Sequence, residues 1–336
     1  MIQERILITG GCGFIGSNFI RYLLTNSNIG KQAQIINVDK RTYAGQGRNL
    51  EHMGIDRDGR YRFVPGDICD EGLVGEIFSE FRPNILFNFA AESHVDRGID
   101  SRTPFVITNI LGTHVLLESA VRNKTELFFQ VSTDEVYGSL SKTEKSRKET
   151  DTKYPRSTYS ATKSAAEDLA LAAFETHGLP VIVSRSANNY GPYQYPEKLL
   201  PLFITNLIDG KKVPLMWSED NPGANVRDWL HVEDNCRAIW LLSQKGNAGE
   251  SYNIPGLNER TNMQMTKAIL DSLNYREDRI EHVPHRKGHD FRYSIDGTKL
   301  RELGFSYSHP DLDRELPKVV QWYKDNEKWW RPLKEK

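Results

Sequence analysis

Residues 5–16 read RILITGGCGFIG, an apolar run followed at once by a glycine-rich turn and a second apolar stretch. The apolar run predicts a buried strand, and the residues after Gly13 predict a helix. Glycines at positions 10, 13 and 16 allow a tight turn, bring backbone N–H groups close to a pyrophosphate and let the helix pack on the strand. The segment therefore predicts the phosphate-binding turn of a dinucleotide-binding fold, although a glycine trio alone fits a simple turn equally well.

The second predicted strand, residues 34–38, is followed by Asp39. A carboxylate at this position can accept hydrogen bonds from the ribose hydroxyls of NAD, and it repels the 2′-phosphate of NADP. Lys40 and Arg41 follow directly, and their positive charges weaken the discrimination against NADP. An ordinary carboxylate at a strand end is the alternative explanation. Together with the glycine turn, the position of Asp39 predicts an NAD site.

Short apolar segments alternate with amphipathic ones through the first half of the chain. The predicted strands are Ile6–Thr9, Gln34–Val38, Tyr61–Val64, Ile85–Phe89, Leu127–Val131 and Val181–Ser184. The predicted helices are Phe14–Leu24, Glu71–Phe81, Phe105–Arg122 and Ser160–His177. This alternation predicts an α/β fold, a doubly wound parallel sheet (Rossmann fold) with a smaller C-terminal substrate-binding lobe. We expect residues 1–190 to form the NAD-binding domain and residues 191–336 mainly the second lobe, with some segments returning to the first.

The composition is that of an ordinary soluble protein of 336 residues, with 38% hydrophobic and 26% charged residues. Lysine and arginine (44) balance aspartate and glutamate (45), which gives no electrostatic case for nucleic acid or a membrane surface as partner. We expect no secretory signal and no membrane-spanning run. The scattered cysteines at positions 12, 69 and 236 lack metal-ligand spacing. We therefore expect neither disulfides nor a metal, and a cytoplasmic location.

Tyr159 and Lys163 stand four residues apart at the start of a predicted helix, so they share one face. A nearby ammonium stabilises a phenolate, which lowers the pKa of a tyrosine and makes Tyr159 a usable base. A chance helical pair is the alternative for this common spacing. Its place after the predicted fifth strand of a dinucleotide-binding fold favours the catalytic interpretation.

Thr133, Asp134 and Glu135 follow a buried strand, at the edge of the sheet where doubly wound folds bind ligands. Adjacent carboxylates repel each other, so one can hold its proton while the other stays charged. An elimination needs such a pair, because one group removes a carbon-bound proton while the other protonates the departing hydroxyl. A solvated acidic turn is the alternative.

Several motifs together make the chain similar to a known family. They are residues 10–16 (GGCGFIG), 89–97 (FAAESHVDR), 132–138 (STDEVYG), 159–163 (YSATK), 188–193 (NNYGPY), 196–199 (PEKL), 226–230 (VRDWL) and 288–290 (GHD). On these motifs, which span nearly the whole chain, the sequence resembles the extended short-chain dehydrogenase/reductases and, within them, the dTDP-glucose 4,6-dehydratases. Relatives that only epimerise generally lack the Asp-Glu pair after the threonine.

The resemblance implies NAD-dependent dehydration of a nucleoside-diphosphate glucose, above all dTDP-glucose, to the 4-keto-6-deoxy sugar nucleotide. It implies that Tyr159 takes the proton of the sugar 4-hydroxyl while C4 passes its hydride to NAD, with Thr133 and Lys163 holding the geometry. Glu135 would then remove the C5 proton, and Asp134 would protonate the leaving C6 hydroxyl. The hydride would return to C6. The product would serve the biosynthesis of rhamnose or another deoxysugar.

The resemblance also implies binding residues and a homodimer formed through residues 105–122 and 160–177. At the NAD site it places Gly10, Gly13, Phe14, Ile15, Gly16, Asp39, Lys40, Arg41, Thr42, Asp67, Ile68, Phe89, Ala90, Ala91, Ser93, Thr108, Tyr159, Lys163 and Asn189. At the nucleotide sugar it places Ser93, Thr133, Asn188, Lys198, Leu199, Arg227, Asn262, Arg286 and His289. Asp67 would meet the adenine amine, with a cap of the next helix as the alternative.

Two regions depart from the family pattern. Relatives carry a Pro-x-Tyr-Gly turn before the Arg-Asp-Trp motif, but here Met216 stands where the tyrosine would be, and Trp217 could supply a replacement ring. A surface-loop insertion is the alternative, so the nucleobase, thymine or uracil, stays open. The usual Asp-Arg-Pro-Gly-His-Asp reads HRKGHD at residues 285–290, which keeps Arg286 and His289.

The same residues bear on three other functions. A UDP-glucose 4,6-dehydratase would use the same chemistry on another base. A 4-epimerase or uronic-acid decarboxylase of this family does not expel a C6 hydroxyl, so Asp134 opposes both. A non-catalytic NAD-binding protein needs neither Tyr159 and Lys163 nor the pair formed by Asp134 and Glu135.

Overall fold

The computed structural model describes residues 4–26, 33–45, 47–94, 101–286 and 288–334. Its strands are β1 (Arg5–Thr9), β2 (Gln34–Asp39), β3 (Tyr61–Pro65), β4 (Ile85–Asn88), β5 (Leu127–Thr133), β6 (Val181–Ser186), β7 (Asn188–Tyr190), β8 (Val213–Met216), β9 (Val226–His231), β10 (Glu250–Ile254), β11 (Glu259–Thr261) and β12 (Ile280–Val283). Seven of them form a central sheet in the order β10-β6-β5-β4-β1-β2-β3. All neighbours in this sheet are parallel, which confirms the predicted doubly wound parallel sheet.

Helices cover both faces of the central sheet. They include α1 (Phe14–Thr25), α2 (Arg48–His52), α3 (Glu71–Phe81), α4 (Thr103–Arg122), α5 (Thr158–His177), α6 (Leu199–Ile208), α7 (Val232–Lys245), α8 (Asn262–Ser272), α9 (Thr298–Glu302), α10 (Leu312–Asp325) and α11 (Glu327–Lys334). Successive side chains of a strand point to opposite faces. In β1, Ile6 and Ile8 pack with α1 and α7, whereas Leu7 packs with α3, α4 and α5. Burial on both faces explains why β1 is a continuous apolar run.

A smaller group of helices packs beside the central sheet. Helices α6, α8, α10 and α11 share a core that includes Phe203, Ile269 and Trp330. Two small sheets, β11-β9-β7 and β12-β8, accompany them. Residues 232–254 bring α7 and β10 back to the central sheet, where β10 pairs in parallel with β6.

Helix α11 reaches back to the glycine turn near the start of the chain. Nε1 of Trp329 donates a hydrogen bond to Oδ1 of Asn49 at 3.1 Å. Nδ2 of Asn49 donates in turn to the carbonyl oxygen of Cys12 at 3.4 Å and to the hydroxyl of Ser17 at 3.3 Å. The C-terminal helices therefore brace the segment that carries the turn.

Helix α4 includes a π-helical stretch, Val106–Gly112. Its length of 20 residues and a window of mean hydropathy 1.3 would suffice for a membrane span, so the expectation of no such run in the sequence is wrong. In the structure 56% of that window is buried inside the protein, as in a core helix of a soluble protein. Three apolar side chains of the π-helical stretch are exposed: Val106 (47%), Ile107 (42%) and Leu111 (45%).

Candidate active site

A large cavity, about 570 Å³ in volume, lies where the central strands end and the smaller group of helices begins. Ligands of doubly wound sheets bind at this edge. Every residue assigned from the sequence to NAD, to the nucleotide sugar or to catalysis lines this cavity, with the exception of Arg41. The cavity thus brings together residues that are up to 279 positions apart in the chain, from Gly10 to His289.

The glycine turn forms one end of the cavity, and its shape admits only glycine. Gly10 has a left-handed φ of +69°, and a Cβ there would lie 2.6 Å from the backbone nitrogen of Ala90. A Cβ on Gly16 would lie 2.5 Å from the carbonyl oxygen of Gly10. The backbone N–H groups of Gly10, Gly11, Cys12 and Gly13 have partners inside the protein. The N-terminus of α1, which begins at Phe14, is therefore the part that can face a phosphate.

Asp39 ends β2 beside this turn. Its Oδ2 accepts a hydrogen bond from the backbone N–H of Cys12 at 2.9 Å, and its Oδ1 accepts from that of Arg41 at 2.7 Å. Burial raises the pKa of Asp39, and these two hydrogen bonds oppose the shift. The carboxylate is therefore fixed between the turn and the strand end.

Arg41 does not line the cavity, so its assignment to the NAD site stays a prediction. Arg41 has a left-handed φ of +52°, and its guanidinium lies 3.9 Å from the centre of the Phe63 ring and interacts with Cys12 of the glycine turn. The neighbouring Lys40 does line the cavity, where its Nζ lies 3.3 Å from Oδ2 of Asp67 and 3.3 Å from Oγ1 of Thr108. The turned backbone at residue 41 sends the two cations to different surroundings.

Asp67 does not cap the next helix. The cap of α3 is Asp70, whose Oδ1 accepts from the backbone N–H of Leu73 at 3.0 Å. Asp67 accepts from the backbone N–H of Cys69 and keeps its other oxygen on Lys40, at the cavity wall. This removes the alternative explanation and leaves Asp67 as a cavity carboxylate.

These features fit NAD as a bound cofactor. The glycine turn has room for a pyrophosphate, and Asp39 offers a carboxylate at the ribose position of a Rossmann fold. Asn188 and Asn189 add two side-chain oxygens that are buried in the cavity wall and have no partner among the described residues. Because buried polar atoms normally have partners, these oxygens mark places where ligand donors would bind.

Tyr159 and Lys163 lie on the first turns of α5, which begins with a capping box of Ser157 and Ser160. Nζ of Lys163 donates to the carbonyl oxygen of Val131 in β5 at 2.6 Å. This contact fixes the helix start against the end of β5, so that Tyr159 faces the residues that follow the strand.

The expectation that Lys163 lowers the pKa of Tyr159 is wrong for the protein itself. Burial and then the charge of Glu135 raise the pKa of Tyr159, and a hydrogen bond with Thr133 only partly opposes them. Burial also lowers the pKa of Lys163 to about 8. The four-residue spacing puts both side chains on one face, but it says nothing of burial or of the carboxylates across the cavity.

Asp134 and Glu135 have unequal surroundings, as the sequence predicts for an acid–base pair. Asp134 is only 2% exposed, and burial together with the charges of Glu135 and Asp228 raises its pKa well above the ordinary value. Asp134 is therefore the carboxyl that holds its proton. Thr133, the last residue of β5, accepts from the backbone N–H of Glu135 at 3.3 Å and fixes the turn that follows.

Three cations act on Glu135. Burial raises its pKa, but Lys198, Arg286 and Arg227 all favour its charged form. The pKa of Glu135 is raised overall, but these cations make Glu135 the member of the pair that gives up its proton more readily than Asp134. The same cations give this end of the cavity the positive charge that a diphosphate requires.

Two of these cations are positioned by backbone carbonyls. Nη2 of Arg227 donates to the carbonyl oxygen of Asp290 at 3.0 Å, and its guanidinium lies 4.3 Å from the centre of the Tyr293 ring. Nζ of Lys198 donates to the carbonyl oxygen of Ser93 at 3.2 Å. Contacts of this kind hold a charged group at the cavity without neutralising it.

The structure also shows a supporting residue that the sequence did not reveal. Oδ1 of Asn109 accepts from the backbone N–H of Glu92 at 2.9 Å, and its Nδ2 donates to the Glu92 carbonyl oxygen at 3.1 Å and to Thr162 at 2.9 Å. Asn109 thereby joins α4, α5 and the loop after β4 beside the cavity. A lone asparagine in an apolar helix carries no motif, so only its polarity at a buried position could have pointed to it.

Met216 lines the cavity, whereas Trp217 does not supply a replacement ring. The Trp217 indole stacks on His282, with ring centres 4.8 Å apart and planes 4° apart. Met216 ends β8, which pairs with β12 so that Met216 lies opposite Val283. Successive side chains alternate along this edge, so one residue faces the cavity and the next faces away.

One group of possible metal ligands lies elsewhere. Donor atoms of His231, Glu233 and His309 lie within 4.8 Å of one another. However, Nδ1 of His231 accepts from the backbone N–H of Glu233 at 3.3 Å. The rings of His231 and His309 also contact each other, with centres 4.2 Å apart and planes 31° apart. This geometry opposes a shared ion.

The fold and the site define the class of protein. A parallel Rossmann sheet, a glycine turn with Asp39, and the buried Tyr159–Lys163 pair belong to NAD-dependent enzymes of the extended short-chain dehydrogenase/reductase type. A cationic end of the cavity facing the smaller helical group suits a nucleotide sugar.

Comparison with known proteins gives the family. The family model described as GDP-mannose 4,6 dehydratase matches residues 7–310. A dTDP-glucose 4,6-dehydratase of Streptomyces niveus is 49% identical over 332 residues, which cover 98% of this chain and 96% of that protein. The Escherichia coli dTDP-glucose 4,6-dehydratase is 41% identical, over 97% and 95% of the two chains. The chain belongs to this family, and both of these relatives are dTDP-glucose 4,6-dehydratases.

Solved structures agree. The crystal structure of DesIV, a dTDP-glucose 4,6-dehydratase from Streptomyces venezuelae with NAD bound, superposes with a TM-score of 0.92 at 45% identity and covers 98% of this chain and 100% of that one. A UDP-glucose 4-epimerase of Thermotoga maritima reaches 0.86 at 29% identity, over 96% and 100%. Since an epimerase shares the fold, the site residues must decide the chemistry.

Proposed function

We propose that this protein is a hydro-lyase that dehydrates dTDP-glucose to the 4-keto-6-deoxy sugar nucleotide and uses NAD as its cofactor. The observation that carries the proposal is the unequal pair of Asp134 and Glu135 in the same cavity as Tyr159. A 4-epimerase needs a base at the 4-hydroxyl only. Removal of water from C5 and C6 needs a separate acid and base, and this cavity contains both.

The first chemical step requires a base at the sugar 4-hydroxyl, and Tyr159 is that base in the proposal. Because its pKa is raised in the protein alone, Tyr159 must first give up its phenol proton, which the positive charge of bound NAD would favour. Its hydroxyl hydrogen-bonds with Thr133, which offers a route for aligning the substrate hydroxyl with the phenol. Lys163, held by the Val131 carbonyl, fixes the helix that presents Tyr159. The chemistry that bound NAD supplies here is hydride acceptance from C4 and hydride return to C6.

The elimination follows because a 4-keto group acidifies the C5–H bond. Glu135, charged beside its three cations, takes the C5 proton. Asp134, which holds its proton, delivers that proton to the C6 hydroxyl, so that the hydroxyl leaves as water. Glu135 later returns its proton to C5. Glu135 thus ends the cycle as the carboxylate it was at the start. Asp134 has lost a proton and Tyr159 has gained the one from the 4-hydroxyl, so one proton must pass from Tyr159 back to Asp134, through solvent or the site, before the next turnover.

Recognition of the nucleotide falls to the cationic end of the cavity. Arg227, Lys198 and Arg286 line it, and charge-assisted hydrogen bonds to diphosphate oxygens are strong. The nucleobase binds beside Met216 in this proposal, so the apolar thioether of Met216 takes the place of the tyrosine ring that relatives carry. Asn262 and His289 complete the substrate wall.

The reaction is tested by mass spectrometry after incubation with dTDP-glucose and, separately, with UDP-glucose, without added reductant. Loss of the mass of one water from dTDP-glucose is the expected result. Water loss from UDP-glucose alone would keep the chemistry and assign the altered residues around Met216 to base choice. A conversion without mass change would favour an epimerase, and no conversion of either sugar would contradict the proposal.

We also propose the two-lobed division of the chain and a cytoplasmic homodimer. Residues 1–190 supply most of the central sheet, and residues 191–336 supply the smaller helical group and return β10 to the sheet. The free thiols of Cys12, Cys69 and Cys236 suit a reducing compartment. The exposed apolar side chains of α4 favour a second copy as their cover.

The dimer is tested by light scattering coupled to size-exclusion chromatography. Ile107→Glu puts a charge on the exposed face of α4 and should give a monomer. Leu257→Glu is the matched control, because Leu257 is also exposed (55%) but lies far from α4 in the chain. A dimer that survives Ile107→Glu, or dissociates equally with both variants, would exclude α4 as the interface.

A further inference from the structure

Two histidines lie side by side at the substrate end of the cavity. The Nδ1 atoms of His285 and His289 are 3.2 Å apart. The other ring nitrogen of His285, Nε2, is 3.0 Å from the carbonyl oxygen of Asn221. His289 lines the cavity, and His285 lies behind it against the loop that contains Asn221. The carbonyl group of Asn221, His285 and His289 therefore form a hydrogen-bonded chain that runs from the backbone to the cavity wall.

The positions of the protons in this hydrogen-bonded chain follow from the carbonyl oxygen of Asn221 at its end. A carbonyl oxygen can only accept, so Nε2 of His285 must carry a proton. In a neutral ring the other nitrogen is then bare, so Nδ1 of His285 accepts and Nδ1 of His289 donates. Burial lowers the pKa of His289 to about 3, and Arg227 and Arg286 add to the shift, so His289 is neutral. Its Nε2 consequently carries a lone pair and no proton.

On the basis of the dehydratase function proposed above, we infer that His285 is a positioning residue that fixes the tautomer of His289, so that Nε2 of His289 accepts a hydrogen bond from the nucleotide sugar. The group recognised is a donor, either a hydroxyl or the imide N–H of a pyrimidine. Phosphate oxygens only accept, so in this tautomer His289 cannot bind them through Nε2. Phosphate binding is left to the neighbouring Arg227 and Arg286.

The arrangement depends on His285 being neutral. A protonated imidazole has two donors and no acceptor, so Nδ1–H of His289 would then face another donor. The pair must separate, or His289 must move its proton to Nε2 and lose the lone pair. The charged groups around this end of the cavity are Arg227, Arg286, Lys198, Asp290 and Glu135.

Steady-state kinetics on dTDP-glucose test the inference. In His285→Leu the acceptor is lost, and KM should rise about 3- to 10-fold, as for one neutral hydrogen bond, with kcat unchanged. In His285→Asn the amide oxygen can take the place of Nδ1, and KM should return to the wild-type value. His282→Asn is the matched control, because His282 stacks on Trp217 instead of joining the chain. It should leave KM unchanged.

Recovery in His285→Asn separates positioning from simple packing, because asparagine restores the acceptor without restoring the imidazole ring. Equal KM values for wild type and His285→Leu, or a KM in His285→Asn as high as in His285→Leu, would overturn the inference.

Calorimetric binding of dTDP and of UDP separates this inference from the dehydratase proposal, because binding needs no turnover. If the wild type binds either nucleotide but converts neither sugar, the proposed function fails while the affinities of the variants still decide the role of His285. An affinity loss in His285→Leu that His285→Asn restores supports the tautomer role. A loss of similar size in both variants, with unchanged thermal stability, contradicts it.

Discussion

Replacing Asp134 by asparagine tests the proton placement on which the proposed elimination depends. Asp134 is buried, and its pKa is raised well above the ordinary value by burial and by the charge of Glu135. A raised pKa means that the folded protein holds a proton that the unfolded chain releases. Asparagine has nearly the same shape and is neutral at every pH, so Asp134→Asn removes this linkage.

The size of the effect follows from proton linkage. The stability that Asp134 contributes is present in full below the unfolded pKa of aspartate, about 3.9, and is lost as the pH rises through the raised folded value. Within that interval, each pH unit lowers the free energy of unfolding of the wild type, relative to Asp134→Asn, by about 1.4 kcal/mol. Two units inside the interval would change the difference by roughly 3 kcal/mol.

Urea unfolding followed by tryptophan fluorescence measures this difference at a series of pH values between about 4.5 and 6.5. The six tryptophans provide the signal, and Asp56→Asn gives the baseline for loss of one exposed carboxylate. The kcat of Asp134→Asn for dehydration should be about 10²- to 10⁴-fold lower than that of the wild type. Parallel stability profiles for the wild type and Asp134→Asn would refute the reasoning, because Asp134 would then be charged in the fold and could not serve as the acid.

Three further changes test other parts of the site. Tyr159→Phe should lower kcat about 10²- to 10⁴-fold and leave calorimetric dTDP binding intact, and an active variant would remove the tyrosine as base. Gly10→Ala puts a Cβ on a residue with a left-handed φ, 2.6 Å from the backbone nitrogen of Ala90. It should lower the free energy of unfolding in urea by roughly 3 kcal/mol. Gly54→Ala has a similar φ in open space and should cost only about 1 kcal/mol, so equal losses would contradict the steric account. Met216→Tyr should shift the ratio of kcat/KM for dTDP-glucose over UDP-glucose by about fivefold, as for one aromatic contact, and an unchanged ratio would exclude the position from base selection.

The fold could be predicted closely because parallel strands covered on both faces are continuous apolar runs. Helix α3 begins and ends where the sequence predicts it, at Glu71 and Phe81. The end of β5 was missed, because Ser132 and Thr133 continue the strand by pairing with β6 and not by apolar character. Strand ends are set by a neighbour far away in sequence, which local periodicity does not show.

The site could be predicted where several residues form one motif, and less well where a single side chain was placed by adjacency. Arg41 follows Lys40, but the backbone at residue 41 turns and its guanidinium leaves the cavity for Phe63. Trp217 follows Met216, but its ring stacks on His282, which lies near because β8 pairs with β12. Motifs fix which residues meet, whereas burial and the direction of a neighbouring strand decide what each of them faces.

The hydrogen bond between Trp329 and Asn49 joins positions 280 residues apart, and it has a consequence for synthesis of the protein. A ribosome makes Asn49 long before it makes Trp329. A chain shortened before α11 would lack this hydrogen bond, so the segment that carries the glycine turn would lose its brace from the C-terminal helices. We expect such a shortened chain to bind NAD less tightly than the full chain.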